Sequence, residues 1–247
     1  MRDYQKELEN RVAFIQNLLK ESHSQGIVFG NSGGKDSALV GILCKKACEN
    51  TLGVMMPCQS KRNFGEDMDD GRDLASQFGI QSVTVDLTPV KEAMLNQVRT
   101  VEAITPPADA NIAPRLRMTT LYAIAQSRNS LVAGTGNRSE RYMGYFTKWG
   151  DGAFDFNPIA DLTVTEIYEF LAFLNAPANI IKKAPSAGLF EGQTDEQEMG
   201  VTYAQIDEYL TTGKSDPAAV EKIEAAHRRT AHKLAPLKIY EEKESAR

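Results

Sequence analysis

The chain has 247 residues, 42% of them hydrophobic and 25% charged, with a formal net charge of −5. That length and composition fit one soluble α/β domain with a full core, and the negative balance, with no basic stripe, argues against nucleic acid as a partner. The charged start Met1-Arg2-Asp3-Tyr4 has no apolar signal core, no apolar run approaches the ~20 residues that span a bilayer, and three cysteines give no disulfide framework; the expectation is a cytoplasmic protein with no membrane partner.

Leu8, Val12, Ile15, Leu18 and Leu19 form one stripe of a helix over 3–22. A first strand, 26–30, enters the turn Ser32-Gly33-Gly34, and a helix follows over 36–48 with Ala38, Leu39, Ile42, Leu43 and Ala47 on its apolar side. A second strand covers 51–57 and ends at Pro57. The polar stretch from Gln59 to Asp70 reads as a loop into a helix carrying Leu74, Ala75 and Phe78, closed by Gly79. A third strand spans 81–87, a helix runs from Pro89 to Ile104, and Thr105-Pro106-Pro107 breaks it. A helix over 112–129 then delivers a fourth strand, 130–134, and 155–159 reads as a short last one. Helices are expected over 163–174, 202–211 and 216–233, with 185–200 as a mobile loop whose acidic stretch forms a solvated lid. Strands alternating with long helices predict an α/β fold: a doubly wound parallel sheet flanked by helices on both faces, one domain over residues 1–247. Ligands of such sheets gather at the carboxyl ends of the strands, at the switch point.

Two polar turns occupy that edge. Ser32-Gly33-Gly34-Lys35-Asp36-Ser37 joins the first strand to a helix N-terminus, where backbone N–H groups and the helix dipole suit phosphate. The order matches neither the P-loop nor the dinucleotide fingerprint. A carboxylate at Asp36 would repel phosphate unless a divalent cation lay between them, which points to pyrophosphate with Mg²⁺. After the fourth strand comes Gly134-Thr135-Gly136-Asn137-Arg138-Ser139-Glu140. If the two strands are neighbours, Asp36 and Glu140 converge on one pocket as a pair of metal carboxylates; taken alone, Glu140 is an early-helix glutamate favoured by the dipole.

Ser32-Gly33-Gly34-Lys35-Asp36-Ser37 resembles the pyrophosphate loop of the N-type ATP pyrophosphatases. Arg115-Leu116-Arg117-Met118, 134–140, 144–152, Asn157-Pro158, Pro185-Ser186-Ala187-Gly188-Leu189 and His232-Lys233 resemble, in order, the signatures of the ammonia-dependent NAD synthetases within that superfamily. The resemblance runs from residue 26 to 233. It implies an adenine-nucleotide alpha-hydrolase-like fold and the last step of NAD biosynthesis: deamido-NAD, ATP and ammonia give NAD, AMP and pyrophosphate through an adenylated carboxylate. It implies that Ser32, Gly33, Gly34, Lys35, Ser37, Thr135 and Ser186 bind ATP, that Asp36 and Glu140 hold Mg²⁺ and are catalytic, and that Arg115, Lys148, Asp155, His232 and Lys233 bind deamido-NAD. It further implies a homodimer. Glutamine-using relatives carry an extra amide-hydrolysing domain for which this chain has no room.

The sequence departs from that family in two places. Val164 stands where relatives often carry an ATP-contacting lysine, and Lys35 fills a slot that is often aliphatic. Lys35 either compensates for Val164 by reaching the phosphates or projects to solvent. Cys44 and Cys48 read as small buried hydrophobes; Cys58 lies nearer the proposed site. The competing functions are another ATP-pyrophosphatase forming an amide or a thiol, and a nucleotide-binding protein without turnover.

Overall fold

The computed structural model describes residues 2–183 and 195–240. Its elements run α1 (Tyr4–Ser22), β1 (Gly26–Gly30), α2 (Lys35–Ala47), β2 (Thr51–Met55), α3 (Lys61–Phe64), α4 (Glu66–Phe78), β3 (Gln81–Thr84), α5 (Thr88–Val98), α6 (Pro106–Ala110), α7 (Ile112–Ser127) and β4 (Ser130–Ala133). Then follow α8 (Arg138–Met143), α9 (Val164–Phe173), α10 (Ala178–Lys182), α11 (Asp195–Met199), α12 (Tyr203–Thr212), α13 (Pro217–Thr230) and a 3-10 turn, Ala231–Lys233.

The four strands are all parallel and ordered β3-β2-β1-β4, with Val28 opposite both Leu52 and Val132. Side chains alternate across a strand, so Ile27 and Phe29 enter one core and Val28 the other. The first core packs β1 against α1, α2, α4 and α9 through Ile15, Leu39, Ile42, Leu74, Ile167 and Phe170. The second packs Val28, Leu52, Val54 and Val132 against α7 through Ala113 and Ala125. Helices therefore cover both faces, as the pattern of strands and helices predicts. A third apolar cluster joins α8, α9, α12 and α13 through Met143, Val164, Tyr203, Ile206 and Ile223. No helix among the described residues is long and apolar enough to cross a membrane.

The fifth strand expected at 155–159 is not one: Phe156 makes only an isolated parallel bridge to Ala133. The Asp155 carboxylate takes the Val132 N–H at 2.7 Å, where a strand would offer a backbone carbonyl, and Pro158 has no N–H to continue a ladder. The loop expected from Gln59 to Asp70 is instead largely helical, in α3 and the start of α4. The helix expected to reach Ile104 stops at Val98; Val101 beyond it is 80% exposed and has no core to face. Of the expected lid over 185–200, residues 185–194 lie outside the described residues. The stretch 195–199 is helix α11, with Asp195 buried and accepting from the Tyr203 hydroxyl at 3.0 Å.

Candidate active site

β1 and β4 are neighbours, and the chain leaves them in opposite directions across the sheet, so the switch point falls between them. A cleft of about 460 Å³ opens there, within the usual range for small-molecule sites. Ser32, Gly34, Lys35, Asp36 and Ser37 line it from one side, Thr135 and Glu140 from the other.

The first turn is shaped by close packing. Gly33 has φ +71°, and a Cβ there would lie 2.2 Å from the Asp67 carbonyl oxygen. Only glycine lets β1 turn into α2 this close to α4. At the start of α2, Gly34 provides no side-chain cap, so the first N–H groups of the helix are open to a ligand. The Ser32 and Ser37 hydroxyls stand 3.1 Å apart, and Ser37 donates to the Gly34 carbonyl at 2.9 Å.

The second turn is built on a capping box. The Asn137 side-chain oxygen accepts from the Glu140 N–H at 2.9 Å, and Glu140 Oε2 accepts from the Asn137 N–H at 3.2 Å. The other end of the same amide donates to Asp36 Oδ1 at 3.0 Å. Buried Asn137 thus ties the two turns together, and the convergence of Asp36 with Glu140 is observed. Burial and the neighbouring Asp36 charge push the Glu140 carboxyl well above the usual carboxylate range.

Lys35 does not project to solvent. Its side chain is 6% exposed, with Nζ 2.7 Å from Asp36 Oδ2, 4.0 Å from Glu140 Oε1 and 5.4 Å from the centre of the Tyr203 ring. Burial works against its charge, but Asp36 and Glu140 outweigh burial and raise its proton affinity above the usual lysine value. Val164 is 4% exposed in the apolar cluster that includes Tyr203, and brings no charge to the site.

The donor set fits Mg²⁺. Two hard carboxylates share one buried spot with a single ammonium, and Mg²⁺ commonly takes one or two carboxylates plus phosphate and water oxygens. No group of three or more His, Cys, Asp or Glu suited to a metal exists among the described residues.

Residues to which the sequence reading gave no site role complete the cleft, among them Lys183, whose pairing with Lys182 reads as solvated surface but whose side chain is largely buried. Lys183 is held between Asp67, at 2.7 Å, and Asp70. These two aspartates lie three apart on one face of α4. Arg117 donates to the Met56 carbonyl at 3.1 Å and to Asn63 at 3.2 Å, and burial lowers its proton affinity. The Arg-x-Arg spacing was a usable signal for Arg117. For Lys183 and its partners there was none, because they meet from more than a hundred residues apart.

The residues expected to hold the dinucleotide divide. Lys233 lines the cleft and donates to the Gly144 and Phe146 carbonyls at 2.7 Å each. Arg115, Lys148 and His232 meet outside it: Lys148 Nζ reaches the His232 carbonyl at 3.0 Å, and Arg115 the Lys148 carbonyl at 3.4 Å. Asp155 sits at the end of the sheet, where Tyr122 donates to it at 3.1 Å. Ser186 lies outside the described residues. Cys44 and Cys58 are buried and Cys48 is half-buried, all as free thiols.

A family model described as NAD synthase matches residues 7–238. A protein of Carboxydothermus hydrogenoformans described as an NH3-dependent NAD+ synthetase is 45% identical over 234 residues, covering 94% of this chain and 95% of the relative. The structure superposes on an NMN synthetase from Francisella tularensis with a TM-score of 0.91 at 36% identity, covering 97% and 99% of the two chains. It superposes on an NH3-dependent NAD synthetase from Campylobacter jejuni with a TM-score of 0.80 at 34% identity, covering 98% and 100%. The match takes in both turns of the switch point and the helices that brace them, and the chain belongs to the NAD synthase family, whose fold is the adenine-nucleotide alpha-hydrolase-like sheet.

Proposed function

We propose that this cleft carries out the family's amidation as a ligase forming a C–N bond: deamido-NAD, ATP and ammonia give NAD, AMP and pyrophosphate. A nicotinate carboxylate oxygen attacks the α-phosphorus of ATP and pyrophosphate leaves. Ammonia then attacks the acyl carbon, AMP departs with the C–O electron pair, and the nitrogen loses its proton. A carboxylate is a poor electrophile, and adenylation gives it a leaving group.

The N-terminus of α2, with Ser32, Gly33, Gly34 and Ser37, holds the pyrophosphate portion, where fixed dipoles stabilise the charge that develops as it leaves. Thr135 contributes from the facing turn, and the resemblance adds Ser186. Asp36 and Glu140 would hold Mg²⁺, which when bound supplies positive charge to the phosphates. Asn137 keeps the two carboxylates in register. Lys233 takes the acidic end of the dinucleotide in the cleft, with Arg115, Lys148, Asp155 and His232 on its outer rim.

A homodimer fits the surface. Val90 and Met94 of α5 are 49% and 46% exposed, and Leu116, Leu121 and Tyr122 of the adjoining α7 are only partly buried. Two helices with unburied apolar residues beside the rim would be covered by a second copy.

The observation that carries this reading is the meeting of Asp36 and Glu140 beside the open N-terminus of α2. Pyrophosphate release from ATP, with ammonium and deamido-NAD, is the test. Release should require both, and Asp36→Ala and Glu140→Ala should each abolish it with an unchanged circular dichroism spectrum. Equal release without deamido-NAD, or none, refutes the reaction. Because the Francisella structure is described as an NMN synthetase, nicotinate mononucleotide is run in parallel; preference for it would shorten the substrate without changing the chemistry.

A further inference from the structure

Lys35 has no role in the amidation as written above, yet the structure places it beside both proposed metal carboxylates. Its stem starts at the first residue of α2 and runs inward, leaving the ammonium between the two carboxylates proposed as metal ligands. Asp36, Glu140, Tyr168 and Tyr203 face it from α2, α8, α9 and α12, and Asp195 of α11 stands behind Tyr203. Among the described residues, Asp36 is the ammonium's one hydrogen-bond acceptor, at 2.7 Å. Burying two carboxylates together without a cation is unfavourable, and the Lys35 ammonium stands 2.7 Å from one and 4.0 Å from the other. Lys35 therefore supplies the countercharge that keeps the pair assembled in the nucleotide-free protein.

A divalent cation arriving alone would have to displace or crowd an ammonium 2.7 Å from one of its own ligands. A cation arriving with a triphosphate brings anionic oxygens that can receive the ammonium in exchange. We propose that Lys35 is a positioning residue that makes divalent-cation binding conditional on the nucleotide, by occupying the cation position between Asp36 and Glu140 until a triphosphate takes its ammonium. This rests on the reading of Asp36 and Glu140 as the metal carboxylates.

The test is Mn²⁺ binding to the full chain, followed by electron paramagnetic resonance and without any turnover. In nucleotide-free protein, Lys35→Met and Lys35→Gln should each bind Mn²⁺ at least tenfold more tightly than the parent, whereas Lys35→Arg should stay within about threefold of it. Adding α,β-methylene ATP should tighten Mn²⁺ binding to the parent protein at least tenfold and should bring little further gain in Lys35→Met. Circular dichroism checks that each variant is folded, and the Gln variant keeps a hydrogen-bonding end should Met fail to fold. Equal Mn²⁺ affinity in the parent and both neutral variants overturns the proposal. The double variant Lys35→Met, Asp36→Ala separates the two ideas. If it keeps the tight Mn²⁺ binding of Lys35→Met, the carboxylate pair is not the metal site and the underlying reading fails; if it loses that binding, the site stands and Lys35 alone is judged by the single variants.

Discussion

Two glycines with nearly the same backbone conformation give a sharp test of why the first turn has its sequence. Gly33 has φ +71° and Gly79 has φ +62°, but a Cβ on Gly33 would meet the Asp67 carbonyl at 2.2 Å, whereas one on Gly79 would have no atom within 4 Å. Alanine at either site carries the cost of the left-handed region, about 1–2 kcal/mol. At Gly33 it must also push away backbone, which no rotamer change relieves, and overpacking of that kind adds about 1–3 kcal/mol. For a chain of this size each kcal/mol lowers Tm by about 2–4 °C. Gly79→Ala should therefore lower Tm by a few degrees and leave the KM for ATP alone. Gly33→Ala should lower Tm by about twice as much or more and raise that KM at least tenfold, since the loop and α4 must separate at the proposed phosphate site. Differential scanning fluorimetry and initial-rate kinetics read both. Equal Tm losses in the two variants would refute the argument that close approach to α4, rather than backbone conformation alone, demands glycine at 33.

Lys183→Met leaves Asp67 and Asp70 facing each other without their shared cation, and breaking a buried pair of this kind costs about 3–5 kcal/mol; denaturant unfolding should show that loss, and a change under about 1 kcal/mol would make the triad decorative. Arg11 grips Asp161 with two bonds of 2.7 and 2.9 Å. Burial would raise the Asp161 pKa, but Arg11 overrides it and lowers the carboxyl below its ordinary value. A depressed carboxylate contributes stability above its unfolded pKa of about 3.9, and loses it as pH falls through the folded value. Asp161→Asn should accordingly lower Tm at pH 7, with the gap from the parent closing below about pH 4; a gap that persists in acid would refute the ion pair as its source. Met94→Glu, on the exposed apolar ridge of α5, should shift a dimer toward monomer in sedimentation velocity, and an unaltered dimer would place the interface elsewhere.

The strand–turn–helix at 26–48 was legible because every signal in it is local: an apolar run, small residues in the turn and an apolar-periodic helix. Its partner turn at 134–140 was legible for the same reason, whereas the neighbouring of β1 and β4 entered only as a condition and is supplied by the sheet order β3-β2-β1-β4. Lys35 was not, since a lysine in a first helical turn is ordinarily solvated, and only the arrival of α8 and α12 buries it. The acidic run Glu66–Asp70 looked like a polar loop because helical patterning shows itself through apolar residues. Here two of the inward-facing positions in the first half of α4 are Asp67 and Asp70, satisfied by a lysine from far along the chain. The segment at 155–159 misled for a related reason, as a side-chain carboxylate stands in for the backbone acceptor that would have made it a strand.

Helix-start residues are usually interchangeable: asparagine, aspartate, serine and threonine all accept the N–H groups of the first turn. At position 137 that freedom disappears. The cap must accept from Glu140 with one end and donate to Asp36 with the other. Aspartate would start α8 as well but would set a third negative charge against the pair. Hydrolysis of that one side-chain amide, a common form of protein ageing, would therefore keep the helix cap and turn the donor facing Asp36 into an acceptor, beside the two carboxylates proposed to hold the metal.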